Sequence, residues 1–456
     1  MKDIYMTSYS VRGIKTLDKL VNLSFYKKTI TKDLADTQNY NVKGIYGMNG
    51  SGKSAIVTSV GILKNILINP EYLSNPIVQK NLDSMINKST KELFMEVEFI
   101  LNLPSDILLF RYSVTLSKDE IGKYVISHEK LSMKKATSKS ENLITIFEVS
   151  HGELIYVHGN ATNELKESII AKTFNLLSST SMCALVYKKL LLPMAENDSW
   201  SNETIVFYLL SLYIFARRIH VYLDQSDDHS EYIIENSLKY VAGSEKKSTL
   251  GEIFDHMSGM EIDHLSILEV TGNVVPVNSY DEFASTVKKL YEFIHIFKSE
   301  LVDIEIDKKE NKDVFICDLI MVYNDYKIYA EFESTGIKKL IKLFAYLNEM
   351  VEGSIVFIDE FDANIHDVYL CALLEYMMEY GEGQLCFTTH NVGPMDVLKK
   401  RKKSIEFLSS NHKVYSWTKN GNYSPSNLYR EGMIEGSPFN IDSFDFIGAF
   451  SSDEEV

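Results

Sequence analysis

The chain has 456 residues, of which 45% are apolar and 24% charged, as is typical of a soluble globular protein with two or three structural lobes. Its formal net charge of −16 excludes a protein whose whole surface attracts a nucleic-acid backbone, so a contact with DNA needs a local basic patch. The four cysteines show no Cys-x-x-Cys spacing, which argues against a metal centre and favours core thiols in a reducing compartment.

The hydrophobic segments do not indicate a membrane protein. Met1–Arg12 lacks the apolar core of a signal peptide. The most hydrophobic window, Ile205–Ala216, spans about 12 residues, whereas a membrane span needs roughly 20. We therefore expect a cytoplasmic protein without membrane contact, in which this window is a buried or interface helix.

The first motif along the chain is the glycine-rich stretch GMNGSGKS, which follows the apolar run Val42–Tyr46 and matches G-x-x-x-x-G-K-[ST]. Glycines allow backbone N–H groups to turn toward phosphates, and the predicted helix Lys53–Ile66 adds its positive N-terminal dipole. A strand-to-helix turn without a ligand is the alternative. The motif predicts a nucleotide site in which the lysine faces the β and γ phosphates and Ser54 also binds Mg²⁺; its residues are Gly47, Asn49, Gly50, Ser51, Gly52, Lys53 and Ser54.

Two helical segments are predicted in the middle of the chain. The first is the apolar window already named, and the second is Tyr280–Leu301, whose apolar residues alternate by four and three. This seam covers under three heptads, which is too short for a long coiled-coil arm but sufficient for a helical pair. Internal packing explains it, and a self-association or partner surface is the sharper hypothesis. The seam residues are Phe283, Val287, Leu290, Ile294, Phe297 and Leu301.

A second anion site is suggested by ESTGIKKLIKLFAYL, which spans Glu333–Leu347. Ser334 and Gly336 precede a helix with one apolar face. A helix that begins with Ser and Gly can bind an anion at its N-terminus. An ordinary capped helix is the alternative. The residues of the apolar face are Ile337, Leu340, Ile341 and Phe344.

Two further strands end in polar groups. The strand Ile355–Ile358 delivers Asp359, which would bind Mg²⁺ through water, and Glu360, which would act as the general base on the attacking water. The stretch QLCFTTHN then places His390 after another short strand, where it could bond the γ-phosphate or that water. The alternatives are a strand that ends in a charged turn and a surface histidine.

In this order, these motifs resemble the ABC-type ATPase head of Rad50, SMC and RecF proteins. They resemble more narrowly the stand-alone AAA15 ATPases and the heads of overcoming-lysogenization-defect (OLD) proteins. Glu333–Gly336 is similar to the E-S-x-G of that family, Asp359–His366 to its D-E-x-D/E-A-x-x-H run, and TTHN fits its switch histidine. Leu93–Val157 resembles the antiparallel lobe that follows the phosphate loop there. We find no glutamine loop after it, so the residue that couples the γ-phosphate to the helical region is unassigned.

The resemblance implies an α/β fold with a P-loop head, made of a mixed sheet flanked by helices plus an antiparallel β lobe, and an inserted helical domain. The 280 positions from Ser54 to Ser334 exceed the spacing of a transporter cassette. We expect residues 1–160 to form the first half of the head and residues 161–302 the insertion, a candidate for oligomerisation or partner binding. Residues 303–450 would form the second half, with signature, acid strand and switch histidine, and residues 451–456 an acidic tail.

The resemblance also implies ATP and Mg²⁺ as ligands, and the absence of an N-K-x-D guanine motif favours ATP. In the family two heads enclose two ATP molecules. Ser334 and Gly336 of one copy would then face the γ-phosphate that Lys53 of another copy binds. Hydrolysis would require at least a dimer.

Two biological functions remain open. We favour an oligomeric ATP-gated sensor or scaffold of bacterial anti-phage defence (abortive infection), similar to the AriA-type ATPases of PARIS systems or to PtuA-type ATPases. The 66 residues after His390 are too few for the TOPRIM nuclease of OLD proteins, so a separate nuclease or toxin and a phage-encoded trigger are expected. The alternative is a RecF- or Rad50-like DNA-repair ATPase. The only basic block, Lys399–Lys403, could touch DNA, although a solvated loop is simpler.

Overall fold

A computed structural model describes most of the chain. The described residues are 4–26, 30, 37–103, 106–137, 142–158, 167–186 without 168 and 172, 204–223, 268–311, 314–401, 403–418 and 423–438.

Strands and helices alternate along the described ranges in a mixed α/β fold, as the sequence predicts. The strands are β1 (Ile4–Arg12), β2 (Val21–Ser24), β3 (Val42–Tyr46), β4 (Glu92–Asn102), β5 (Ile107–Lys118), β6 (Tyr124–Lys135), β7 (Ile144–Ser150), β8 (Glu153–Val157), β9 (Ile219–Tyr222), β10 (Asn273–Pro276), β11 (Leu301–Asn311), β12 (Val314–Tyr323), β13 (Lys327–Tyr329), β14 (Ile355–Ile358), β15 (Gln384–Thr388), β16 (Ile405–Leu408) and β17 (Val414–Ser416). The helices are α1 (Lys53–Ile68), α2 (Pro76–Met85), α3 (Met182–Val186), α4 (Thr204–Arg217), α5 (Tyr280–Phe297), α6 (Thr335–Glu352), α7 (Asp367–Tyr380), α8 (Gly393–Leu398) and α9 (Pro425–Arg430).

An antiparallel sheet of seven strands has the order β2-β1-β4-β5-β6-β7-β8. Along its strands, buried and more exposed side chains alternate because one face of the sheet is buried. In β4 the side chains of Leu93, Met95 and Val97 are buried, and the residues between them are half-buried. The buried Phe99 stacks on Phe215 of α4 with 4.1 Å between the ring centroids. The antiparallel strands expected within Leu93–Val157 are present, and β1 and β2 extend this sheet from before the phosphate loop.

The phosphate-loop strand lies in a six-stranded sheet of order β17-β16-β3-β15-β14-β9, in which all pairings except β17–β16 are parallel. Every residue of its central strands is buried because both faces of the sheet are covered. Ile355 and Phe357 of β14 join the core that contains α1 and α4, whereas Val356 and Ile358 join the core that contains α6 and α7. This sheet therefore separates two hydrophobic cores.

A third sheet places β12 between β11 on one side and β10 and β13 on the other. Helix α5 packs on β11 and α6 through four buried residues of the predicted seam, and Phe297 is partly buried against them. The sequence predicts that the seam runs to Leu301. The helix instead ends at Phe297, because Lys298 leaves the helical backbone (φ −138°) and Leu301 begins β11.

Two segments that the sequence assigns to the insertion pack within the head. Helix α4 lies against α1, and β9 pairs in parallel with β14 as the edge strand of the six-stranded sheet. Residues 187–203 and 224–267 lie outside the described residues, so a separate inserted domain stays a prediction. The acidic tail, 451–456, also lies outside them. Helix α4 is too short to cross a bilayer, and no other described helix combines the length and apolarity for it.

Candidate nucleotide-binding site

Three parallel strands end side by side at one edge of the six-stranded sheet. Ile358 of β14 lies opposite Phe387 of β15, and Thr388 of β15 lies opposite Ile45 of β3. In α/β proteins, ligands bind at the carboxyl ends of parallel strands. The phosphate loop, the paired acids and the Thr-Thr-His segment therefore leave the sheet at the same edge.

Two glycines of the phosphate loop, Gly47 and Gly52, occupy positions where a side chain would clash. Gly52, the N-cap of α1, has a φ of +102°, and a Cβ there would lie 2.3 Å from Leu17 Cδ2. A Cβ on Gly47 would lie 2.5 Å from the carbonyl oxygen of Leu408. No side chain caps the start of α1. The close approach of backbone groups and the uncapped helix are what a bound phosphate needs.

Lys53 lies inside this loop. Its Nζ donates to the carbonyl oxygens of Gly47 at 2.8 Å and Met48 at 3.1 Å, and the residue is 5% exposed. Burial lowers the pKa of Lys53 to about 8, although the carboxylates of Asp359 and Glu360 act to raise it. The ammonium group and the two acids therefore belong to one electrostatic site, despite their separation along the chain.

The remaining loop residues also suit a phosphate. Ser51 is 4% exposed, and its Oγ has no hydrogen-bond partner among the described residues. An orphaned buried hydroxyl costs about 1–3 kcal/mol, and a phosphate oxygen would supply the missing acceptor. Asn49 and Gly50 form the exposed tip, and Ser54 follows the lysine in the first turn of α1. The loop residues fit a triphosphate, with the Ser54 hydroxyl as a magnesium ligand.

Asp359 is held by a neighbouring strand. Thr388 Oγ1 donates to Asp359 Oδ1 at 2.5 Å and accepts from the backbone N of Glu360 at 2.8 Å. Asp359 is 8% exposed, and its backbone N donates to the carbonyl of Tyr222 at 2.9 Å. One threonine hydroxyl thus orients the Asp359 carboxylate and holds the backbone of Glu360. The sequence motif contains Thr388 but does not indicate this role, which depends on the adjacency of β14 and β15.

Glu360 has an unusual backbone. Its φ of +47° lies in the left-handed region, where a non-glycine residue costs on the order of 1–3 kcal/mol unless its surroundings hold it. Its carbonyl accepts from Lys339 Nζ at 2.6 Å and from the backbone N of Ala363 at 3.0 Å. These two bonds hold the Glu360 carbonyl, and the bond from its backbone N to Thr388 Oγ1 holds the other side of the residue. A fixed backbone is what a general base requires.

His390 is exposed at the rim of the site. Burial of the ring, and then repulsion by Lys53, lower the pKa of His390, although nearby carboxylates act to raise it. The imidazole is therefore neutral at neutral pH. Asp362 accepts from the backbone N of His390 at 3.4 Å and of Asn391 at 3.1 Å, and so orients this segment. The sequence analysis did not assign Asp362 a role.

The predicted second anion site begins α6. Ser334 caps this helix through a 3.4 Å bond from the N of Ile337 to its Oγ, and Gly336 packs against the carbonyl of Asn364. Glu333 accepts hydrogen bonds from Tyr323 and Lys298, which lower the pKa of Glu333 although burial acts to raise it. Among the described residues, no hydrogen bond or ion pair joins Ser334 or Gly336 to the phosphate loop of the same chain. Within one copy, the described contacts therefore do not link these two residues to Lys53.

Three residues of the basic block, Lys399, Lys400 and Arg401, contact other residues of the same chain. Lys399 bonds Asp396 at 2.9 Å, and Lys400 pairs with Glu375. Arg401 donates to the carbonyl of Gln38 at 2.5 Å and to Asn41 Oδ1 at 2.8 Å. The carboxylates of Asp396 and Glu375 offset part of the positive charge that Lys399 and Lys400 offer to DNA.

No protein-family model matches the chain, and no curated protein matches it. Among solved structures, the chain is similar to the recombination mediator protein RecF of the RecFOR pathway, in its RecF-ATPrS structure. The identity is 13% and the TM-score 0.38, over 91% of this chain and 99% of that one. At this similarity the neighbour assigns no site or activity to the present chain.

Proposed function

We propose that this protein binds and hydrolyses ATP in a Mg²⁺-dependent reaction, as a P-loop ATPase of the ABC type. The observation that carries the proposal is the position of Lys53. Its buried ammonium group lies among the carbonyls of a glycine-rich loop and within the field of Asp359 and Glu360, which follow another strand of the same sheet. A buried cation that faces an uncapped helix start and two carboxylates suits a triphosphate with its metal.

Each of these residues has a distinct role in the proposed reaction. Lys53 and the first N–H groups of α1 bind the β and γ phosphates and fix the nucleotide. Ser54 and Asp359 would hold Mg²⁺, which supplies charge neutralisation on the phosphate oxygens when bound. Glu360 orients the attacking water and accepts its proton, and the neutral imidazole of His390 bonds the γ-phosphate or that water.

Substitutions at the two ends of the site test this activity. The Lys53→Ala protein should lose ATP binding, measured by calorimetry. The Glu360→Gln protein should bind ATP but hydrolyse it at least ~100-fold more slowly, because it lacks the base. Glu352→Gln, at the end of α6, is a matched control that should leave hydrolysis at the wild-type rate. Wild-type turnover in Glu360→Gln would refute the assignment of the base.

We further propose that the hydrolytic site is completed by a second copy of the chain. Among the residues that the structure describes, no hydrogen bond or ion pair joins Ser334 or Gly336 to the phosphate loop of their own copy, and they begin a helix that can receive an anion. Ser334→Arg should therefore abolish turnover and leave ATP binding to the monomer intact. Full hydrolysis by a preparation that light scattering shows to be monomeric would refute this composite site.

In the cell, we propose that the oligomer acts in the cytoplasm as an ATP-gated sensor or scaffold of anti-phage defence that controls a separate nuclease or toxin. The net charge of −16 and the internal partners of the basic block support a protein partner over DNA. Copurification of an effector encoded by a neighbouring reading frame would support this role. ATP-dependent binding of duplex DNA at physiological salt, without such an effector, would favour the RecF-like alternative.

A further inference from the structure

The loop after β14 is held by α6 at two strained positions. Besides Glu360, Asn364 also has a left-handed backbone, with a φ of +62°. Lys339 Nζ donates to the carbonyl of Glu360 at 2.6 Å, and a Cβ on Gly336 would lie 2.6 Å from the carbonyl of Asn364. Thr335 Oγ1 lies 3.4 Å from Asn364 Oδ1. The first turns of α6 thus contact both left-handed residues of this loop.

Lys339 is buried at this contact. It is 4% exposed, and its Nζ lies 5.8 Å from the centroid of the Tyr222 ring, within the range of a cation–π interaction. The carbonyl of Tyr222 in turn accepts from the backbone N of Asp359 at 2.9 Å. A buried ammonium group carries a desolvation cost, which its hydrogen bonds and the ring face offset. Its side chain therefore has a defined position, between the Glu360 carbonyl and the Tyr222 ring.

We propose that Lys339 is a positioning residue for ATP hydrolysis, which holds the Glu360 backbone so that its carboxylate meets the attacking water. The inference rests on the proposed function. Lys339 lies on α6, and the N-terminus of this helix carries Ser334 and Gly336 of the second anion site. Lys339 therefore connects the Glu360 backbone to that site. A shift of α6 on occupation of that site therefore moves the base. Lys339 regulates the chemical step without contact with the nucleotide.

The test compares ATP binding with ATP turnover in the full chain. In Lys339→Met the donor is lost and most of the stem is kept, so kcat should fall about 100-fold, the scale of a base misplaced by about 1 Å. The Kd for ATP should stay within about twofold, because no phosphate contact is removed. Lys339→Arg should restore most of the turnover. Lys338→Met is the matched control, because Lys338 donates to the carbonyl of Glu331 at the surface.

Each outcome decides the inference. Wild-type kcat in Lys339→Met, or an equal loss of binding and turnover, would overturn the positioning role. If thermal unfolding shows that the methionine variant does not fold, Lys339→Gln carries the same prediction, because its shorter side chain cannot reach the Glu360 carbonyl. A wild-type protein that does not hydrolyse ATP would overturn the proposed function itself. An active Lys339→Met protein overturns only the role of Lys339.

Discussion

Glu129 should make the stability of the protein depend on pH. It lies on β6 with 0% exposure and accepts two hydrogen bonds of 2.9 Å, from the Tyr112 hydroxyl and from the backbone N of Met182 at the start of α3. Burial raises the pKa of Glu129 to about 7, although the two hydrogen bonds act to lower it. The carboxyl group is therefore protonated in the folded protein at pH 6, whereas in the unfolded chain it is ionised.

The sign and size of the effect follow from proton binding. Between pH of about 4.5 and 7 the folded state binds more protons at Glu129 than the unfolded state, so stability falls as the pH rises through this window. A shift from 4.5 to about 7 corresponds to about 3 kcal/mol, as an order of magnitude. In Glu129→Gln the amide oxygen can accept from the backbone N of Met182, and the amide NH2 can donate to the Tyr112 oxygen once that hydroxyl no longer donates to residue 129. The variant should lack this loss of stability.

Urea unfolding from pH 5 to pH 8 measures the effect. The free energy of unfolding of Glu129→Gln, relative to wild type, should rise by about 2.5 kcal/mol across this range. Glu120→Gln is a control that removes one exposed carboxylate from the turn after β5 and should retain the wild-type slope. A difference between wild type and Glu129→Gln that stays constant with pH would refute the reasoning.

Two further predictions concern the site itself. Thr388→Val removes the hydroxyl that bonds the Asp359 carboxylate and the backbone N of Glu360. The free energy of unfolding, measured in urea, should therefore fall by about 3 kcal/mol. A loss below about 1 kcal/mol would contradict this hydrogen-bond assignment. Gly52→Ala should weaken ATP binding in calorimetry more than Gly50→Ala. Both positions have positive φ, but only at Gly52 would the new Cβ clash, 2.3 Å from Leu17, so equal affinities would contradict the described loop.

The sequence predicts the elements whose signals are local. The run IVFI before paired acids gives β14 its observed bounds, Ile355–Ile358, and the phosphate-loop helix predicted over Lys53–Ile66 runs to Ile68. The strand is continuously apolar, and the helix is rich in apolar residues and follows a glycine-rich loop that marks its start. The stretch after α2 likewise forms antiparallel strands. Alternation of apolar and polar residues over many positions predicts strands with one buried face.

Features that depend on distant partners could not be predicted. The four residues of β9 (Ile219–Tyr222) are a strand only because they pair with β14, more than 130 positions later. Lys339 looks like any lysine of an amphipathic helix, and its bond to the Glu360 carbonyl requires that α6 lie on the loop after β14. The left-handed backbone of Glu360 has no sequence signal, because glycine is the residue that normally marks such a conformation.

The central claim is that groups far apart in the chain meet around one magnesium-bound nucleotide. A crystal structure of the Glu360→Gln protein, grown with ATP and Mg²⁺, tests this claim most directly. We predict Lys53 Nζ at about 3 Å from a γ-phosphate oxygen, with Asp359 facing the metal of the same nucleotide. A nucleotide bound elsewhere, or a Lys53 that still bonds only its loop carbonyls while ATP saturates the protein, would contradict the account.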